Sequence, residues 1–196
     1  INSNRISELI NYKDITNEIS CDELKKSTLS FTSSIDKIKD YNTYIITVPT
    51  PIDSAKNPDL KFLKQASKLI GSLITKNDLI IFESTVYPGC TREVCIPIIE
   101  EKSKLKLNKD FYIGYSPERI NPGDKENTLI NIIKIISGSN KVALELVNNL
   151  YSSILKLAHT YPVSSIEVAE AAKIIENTQR DLNIAFVNEL SLIFEK

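Results

Sequence analysis

The chain has 196 residues, a formal net charge of −1 and a hydrophobic fraction of 42%, which suffices for one globular domain and part of another. The near-neutral charge provides no broad basic surface, which argues against a nucleic-acid partner. No apolar run is long enough to span a bilayer, and the N-terminal residues lack a signal-peptide pattern.

The first pattern in the chain is helical, because Ile6, Leu9 and Ile10 recur at the spacing of one helix face. No strand pattern precedes this helix, and the chain begins without a methionine. At the other end, "NELSLIFEK" continues a helical pattern without a cap signal. We therefore expect this chain to be a fragment of a longer protein.

The middle of the sequence alternates between strand and helix patterns. In chain order these are a strand in "TYIITVPTPID", a helix in "PDLKFLKQASKLIGSLI", a strand in "DLIIFESTVYPG", a helix in "TREVCIPIIEEKSK", strands in "DFYIGYSPER" and "IIKIISG", a helix in "VALELVNNLYSSIL" and a strand in "KLAHTYPV". Pro97 limits the regularity of the second helix. Strands that are apolar on both faces and alternate with helices predict an α/β fold with a parallel sheet covered on both sides.

The three cysteines, Cys21, Cys90 and Cys95, lack the spacing of metal ligands, so we predict no metal site. Free thiols in an odd number fit a reducing compartment, and we predict a cytoplasmic protein. Cys90 and Cys95 flank the start of a predicted helix, and we interpret both as structural residues.

Three predicted strands end in stretches that combine hydroxyl side chains with proline: Thr47–Thr50, Glu83–Gly89 and Ser116–Pro122. Any one of these stretches is explained as an ordinary turn. Ligands of parallel α/β sheets bind in the crevice at the carboxyl ends of the strands. Three such stretches on successive strands therefore favour a binding face.

The last segment predicts one long helix. Ser164 and Glu167 have the spacing of a capping box, and neither glycine nor proline follows Pro162. Four polar residues form one stripe along this helix: Glu170, Lys173, Asn177 and Arg180. A solvated face is the simpler explanation of the stripe. The apolar residues around it suggest burial nearly all round, however, and a buried Lys173 beside Asn177 would need a partner such as a ligand.

Four motifs in chain order, "VPTPID", "ESTVYPG", "YSPERINPGD" and "AEAAKIIENTQRDLNIAFVNEL", resemble the nucleotide-sugar 6-dehydrogenases of the UDP-glucose/GDP-mannose dehydrogenase family. "SPERINPGD" and "KIIENTQRDLNIA" are most similar to the branch that oxidises UDP-N-acetylhexosamines such as UDP-N-acetylglucosamine. The resemblance covers essentially the whole chain. It implies NAD as the cofactor, a UDP-sugar as the substrate and a homodimer formed through the C-terminal helix.

The resemblance also implies an incomplete Rossmann-like sheet, because the family's first strand and Gly-rich turn would precede this chain. Residues 1–162 would be a partial NAD-binding domain, and residues 163–196 the start of the central dimerisation helix. Family members take C6 of the sugar to a carboxylate through a thioester on a cysteine in a C-terminal domain, for surface polysaccharides such as capsule and O-antigen. None of the three cysteines lies in that motif, so this chain alone is expected to be inactive.

The resemblance assigns roles to individual residues. Lys173 and Asn177 match the pair that stabilises charge on the C6 oxygen, Thr85 matches a threonine near the nicotinamide, and Glu118 matches a substrate-contacting base. Arg5, Thr50 and Thr85 fall at NAD contacts. The substrate contacts would be Glu118, Arg119, Ile120, Asn121, Pro122, Lys173, Asn177 and Arg180. Pro122 is a departure, since members acting on UDP-glucose carry a second glutamate there.

A second hypothesis remains open, in which the chain is a non-catalytic Rossmann-like binding or assembly module whose long helix pairs with a partner. A cysteine-containing domain downstream would favour the enzyme. The sequence leaves open which N-acetylhexosamine is used, whether NADP replaces NAD, and the size of the oligomer.

Overall fold

The computed structural model describes residues 2–118, 132–155 and 158–194, which divide into two compact units, Ile1–Tyr41 and Asn42–Lys196. The first unit contains helices α1 (Ser3–Ile10) and α2 (Cys21–Lys26) and a 3₁₀ turn (Ile35–Lys37). Helix α1 confirms the prediction. Helix α2 was missed because only Leu24 is buried in it, although its capping box of Ser20 and Glu23 is visible in the sequence.

The second unit is built on a five-stranded sheet in the order β1–β2–β3–β4–β5. The strands are β1 (Thr43–Ile46), β2 (Leu79–Phe82), β3 (Tyr112–Tyr115), β4 (Lys134–Gly138) and β5 (Thr160–Pro162). Strands β1, β2 and β3 are parallel, as predicted for a Rossmann-like α/β fold.

Strand β4 departs from the predicted all-parallel arrangement. It pairs antiparallel with β3, and β5 then pairs parallel with β4, so the sheet is mixed. A parallel connection needs a crossover that is usually helical, and the sequence between β3 and β4 carries no helix pattern. The missing helix pattern was therefore a visible sign that β3 and β4 pair antiparallel.

Helices cover both faces of the sheet, as predicted. They are α3 (Lys61–Gly71), α4 (Ile96–Ser103), α5 (Lys141–Ile154) and α6 (Ile166–Phe194). One core layer includes Leu63, Ile80 and Ile99 and joins the sheet to α3 and α4. The other includes Ile81, Ile136 and Val147 and joins the sheet to α5. No helix in the described ranges combines the length and apolar character needed to cross a bilayer.

Helix α4 has an irregular start, as the position of Pro97 predicts. A π-helical turn, Thr91–Cys95, precedes it, and Pro97 occupies the first turn of α4 itself. Proline is tolerated there because a first-turn N–H has no partner within the helix.

Helix α6 begins later than predicted, and the capping box of Ser164 and Glu167 does not form. The Ser165 hydroxyl instead accepts a hydrogen bond from the Val168 N–H at 3.3 Å, while Glu167 pairs with Arg92. The backbone is still bound to the sheet at Val163, whose N–H donates to a carbonyl of β4. The helix therefore starts only after that bond.

Burial of α6 nearly all round was predicted, and this is wrong for the described chain. Its buried residues are Ile166, Ala169 and Glu170, whereas Ile175 is 66% exposed. The contacts of α6 with the sheet are to β3 and β4. In the parts of the chain that the structure describes, nothing buries the apolar side chains farther along the helix.

Candidate active site

A cleft of about 390 Å³ lies at the carboxyl ends of the three parallel strands. Its lining consists of Thr47, Val48, Pro49 and Thr50 after β1, Glu83, Ser84 and Thr85 after β2, and Glu118 after β3. The three strand ends that the sequence singled out therefore share one cleft, which includes the predicted site residues Thr50, Thr85 and Glu118. Parallel pairing in register produces this arrangement.

Two hydrogen bonds join the first two strand ends. The Thr50 hydroxyl donates to the Thr85 carbonyl at 2.5 Å, and the Ser84 hydroxyl donates to the Val48 carbonyl at 2.6 Å. Thr50 thus fixes the backbone of Thr85, and both residues remain in the wall of the cleft.

A buried ion pair stands behind the cleft. Lys134 Nζ lies 3.2 Å from Glu83 Oε1, and the Tyr151 hydroxyl donates a hydrogen bond to the same oxygen. Burial and the Glu83 carboxylate raise the pKa of Tyr151, which keeps its phenol protonated. Sequence reasoning assigned no role to these three residues, although a lysine in the apolar strand "IIKIISG" was a visible signal.

Glu170, the first residue of the polar stripe on α6, is fully buried. Its carboxylate accepts hydrogen bonds from the backbone N–H groups of Gly89 at 2.6 Å and Thr91 at 2.9 Å. Burial raises the pKa of Glu170 in spite of these bonds. The stripe therefore begins with a clamp that joins α6 to the loop after β2.

The other stripe residues lie farther from the sheet. Lys173 is half-buried, whereas Asn177 and Arg180 are exposed. Arg180 donates to Asn177 Oδ1 and to Glu176 Oε1, each at 3.3 Å. The lining described for the cleft includes no residue of α6, so the structure does not bring Lys173 and Asn177 together with Thr85 and Glu118 there.

Arg5 belongs to the first unit, where its guanidinium contacts Asp14 at 2.5 Å and Glu8 at 3.6 Å. This pairing holds the pKa of Asp14 well below its usual range, and hydrogen bonds from Thr16 and Ile19 add to the effect. The NAD contact assigned to Arg5 stays a prediction. The substrate contacts assigned to Arg119, Ile120, Asn121 and Pro122 lie outside the described residues.

Cys90 and Cys95 are both fully buried in the core, which confirms the structural interpretation. The adjacent Cys90 thiol and burial together raise the pKa of Cys95. A thiol that stays protonated is a poor nucleophile.

Two family models match the chain. The NAD binding domain of the UDP-glucose/GDP-mannose dehydrogenase family matches residues 1–155, and the central domain of the same family matches residues 167–196. Over its whole length the chain is 54% identical to proteins named UDP-N-acetyl-D-glucosamine 6-dehydrogenase from Salmonella typhi and Pseudomonas aeruginosa. It is 50% identical to protein CapL of Staphylococcus aureus.

Solved structures show the same fold. A UDP-D-ManNAc dehydrogenase of Pyrococcus horikoshii superposes with a TM-score of 0.90 at 32% identity, over 98% of this chain and 46% of that one. A ternary complex of GDP-mannose dehydrogenase from Pseudomonas aeruginosa superposes with a TM-score of 0.88 at 26% identity, over 96% of this chain and 45% of that one. The chain spans 46% of each of the three curated relatives, which is about half their length.

Proposed function

The chain belongs to the UDP-glucose/GDP-mannose dehydrogenase family, and we propose that the full-length protein oxidises a UDP-N-acetylhexosamine at C6 to the uronic acid with NAD. UDP-N-acetylglucosamine is the proposed substrate. The observation that carries this proposal is the identity, over the whole chain, to relatives named for that reaction. The cleft at the strand ends supports it, because ligands of such sheets bind there.

We propose that the cleft receives one end of NAD. Its walls offer hydroxyl groups and backbone carbonyls, and we propose that Thr50 and Thr85 contact NAD there. The NAD contact proposed for Arg5 rests on the family resemblance alone. The sequence has no G-x-G-x-x-G turn, so the residues present do not fit the pyrophosphate. When bound, NAD supplies the hydride acceptor for the oxidation.

Each of the proposed catalytic residues has a separate role in the reaction. Lys173 and Asn177, one helical turn apart on α6, would stabilise negative charge on the C6 oxygen with an ammonium and an amide N–H. Glu118 would contact the substrate and act as a base toward water that Thr85 positions. Arg180 and residues 119–122 would complete the substrate contacts.

The test uses the full-length protein with NAD and four UDP-sugars: UDP-N-acetylglucosamine, UDP-N-acetylgalactosamine, UDP-N-acetylmannosamine and UDP-glucose. We expect NADH formation with UDP-N-acetylglucosamine. Lys173→Ala should lower the rate of both oxidations by about two to four powers of ten with little change in substrate affinity. Lys141→Ala, an exposed lysine on α5, is the matched control. NADH formation with none of the sugars would favour the binding or assembly module instead.

We also propose that the protein forms a homodimer through α6. Support comes from apolar side chains that α6 leaves exposed in the described chain: Ile175, Leu182, Phe186 and Ile193. Light scattering should find a dimer for the full-length protein and for Ser191→Glu, which changes an exposed residue on the opposite face of α6. The double substitution of Leu182 and Phe186 by Glu should shift it toward the monomer.

The biological role that follows is cytoplasmic synthesis of a uronic acid for a surface polysaccharide such as capsule or O-antigen. The similarity to CapL supports a capsule. Deletion of the gene should remove the N-acetylhexosaminuronic acid from the polysaccharide, as measured by sugar analysis. An unchanged sugar composition would contradict this role.

A further inference from the structure

Lys134 is a buried lysine that contacts Tyr151 and Glu83, and Glu83 lines the cleft. Its side chain is 3% exposed, and Nζ lies 3.2 Å from Glu83 Oε1 and 5.0 Å from the centroid of the Tyr151 ring. Desolvation of two buried charges largely offsets their attraction, so such a pair is a weak source of net stability. We name Glu83, Lys134 and Tyr151 the Glu83 cluster.

The mixed sheet is what places this cluster at the cleft. Because β4 is antiparallel to β3, its first residue, Lys134, lies beside the carboxyl ends of β2 and β3. On the face covered by α5, Gly114 of β3 and Ser116 just after it are both small, and Lys134 reaches Glu83 across this strand. That face is tightly packed, since a Cβ added to Gly114 would lie 2.4 Å from Val147 Cγ2.

Glu83 is the member of the cluster that lines the cleft, and its side chain is 13% exposed. Within the described residues, the ion pair and the hydrogen bond of its carboxylate both fall on Oε1. Among the same described residues, Oε2 takes no part in either contact, and a carboxylate oxygen at this position can accept a hydrogen bond in the cleft. An anion held by a buried cation and a phenol is a preorganised acceptor.

We propose that Glu83 is a ligand-binding residue of this cleft, whose carboxylate accepts a hydrogen bond from a neutral amide or hydroxyl donor of the bound ligand. Lys134 and Tyr151 act through it as positioning residues. This inference rests on the proposed function, which supplies two ligands with such donors. The donor is either the nicotinamide part of NAD or the sugar part of the UDP-sugar.

The experiment separates a ligand-binding role from a purely structural one. Glu83→Gln leaves the Lys134 charge buried without its partner, so the Tm should fall by about 10 °C. The double variant Glu83→Gln/Lys134→Met removes both charges and should recover most of that Tm. If the ion pair is purely structural, the double variant should recover ligand affinity together with the Tm. If Glu83 binds the ligand, the double variant should recover the Tm but not the affinity.

Calorimetric titration of the full-length protein uses four ligands: NAD, ADP-ribose, UDP-N-acetylglucosamine and UDP. We expect the double variant to bind either NAD or UDP-N-acetylglucosamine about 10- to 100-fold more weakly than wild type. Unchanged affinity for ADP-ribose would assign the donor to the nicotinamide. Unchanged affinity for UDP would assign it to the sugar.

The matched control is the ion pair of Lys76 and Asp110, 3.6 Å apart at the opposite end of β2 and β3. Lys76→Met/Asp110→Asn should leave all four affinities unchanged. If the double variant of the cluster fails to fold, Tyr151→Phe decides, because it removes one hydrogen bond to Glu83 and keeps the packing. It should weaken binding of the affected ligand by about 3-fold or more.

Wild-type affinity for both NAD and UDP-N-acetylglucosamine in a folded double variant, or in Tyr151→Phe, overturns the inference and leaves the proposed function intact. A wild-type protein that binds neither ligand overturns the proposed function and this inference with it.

Discussion

Thr91 and Glu170 are 79 positions apart in the sequence, and the Thr91 backbone N–H donates a hydrogen bond of 2.9 Å to Glu170 Oε1. The other carboxylate oxygen accepts from Gly89, whose φ of 95° is in the left-handed region that favours glycine. One buried side chain of α6 thus satisfies two N–H groups where the π-helical turn before α4 begins. This contact holds the loop that carries Thr85 against the helix that carries Lys173.

Removing the Glu170 carboxylate should destabilise the protein. In Glu170→Ala, two buried N–H groups lose their acceptor, so the free energy of unfolding should fall by about 3 kcal/mol. Glu189→Ala, on the exposed part of the same helix, should change it by about 0.5 kcal/mol or less. Urea unfolding measures both. Equal losses in the two variants would show that the clamp contributes nothing.

The stability that Glu170 contributes should depend on pH. Burial raises its pKa in the folded state above the ordinary value of 4.5, so the folded protein binds the proton more tightly than the unfolded chain does. Stability is then lost as the pH rises through the interval between the two values. Glu170→Gln cannot titrate, so the free energy of unfolding of wild type relative to this variant should fall as the pH rises above about 4.5. A difference that grows with pH would refute the raised pKa.

Thr50 offers a test of the hydroxyl that joins two strand ends. Thr50→Val removes the hydrogen bond to the Thr85 carbonyl at nearly constant shape, while Thr50→Ser keeps a hydroxyl. Because the site is exposed, the free energy of unfolding should change by only about 1 kcal/mol in Thr50→Val. Under the proposed function, NAD affinity should fall about 3- to 10-fold in Thr50→Val and much less in Thr50→Ser. Calorimetric titration measures the NAD affinity of the two variants. Equal affinities would show that the Thr50 hydroxyl does not contribute to NAD binding.

Gly138, at the end of β4, packs against backbone atoms of α5. A Cβ there would lie 2.3 Å from Leu144 N and 2.7 Å from Leu144 Cα, and helix backbone cannot move aside without loss of packing. Gly138→Ala should lower the free energy of unfolding by about 3 kcal/mol. At Gly71 in α3 a Cβ would lie 2.9 Å from Lys102 Cβ and 3.1 Å from Ile99 Cα, which is a less severe overlap than at Gly138, and alanine is also the better helix former. Gly71→Ala should therefore cost about 1 kcal/mol, and a larger loss there than at Gly138 would contradict the packing argument.

The sequence alone determined the local elements of the second unit and the location of the cleft. The apolar runs of β2 and β3, the spacing of Leu63 and Ile70 in α3, and Pro97 in α4 each predicted what the structure contains. The cleft followed as well, because three polar strand ends in a parallel sheet must meet at one edge. These predictions succeed because side-chain period and strand direction are properties of neighbouring residues.

Only the tertiary structure decided which polar residues are paired and how much of α6 is buried. The partners of Glu170 are about 80 positions away, and Lys134 reaches Glu83 only because β4 reverses direction beside β3. Sequence reasoning placed Glu170 on a stripe with Lys173 and did not foresee that Glu170 alone would be fully buried. A periodic pattern shows which face of a helix is apolar, but burial depends on what packs against that face in space. Within the described chain, the sheet buries the first turns of α6, and the apolar residues beyond them stay exposed.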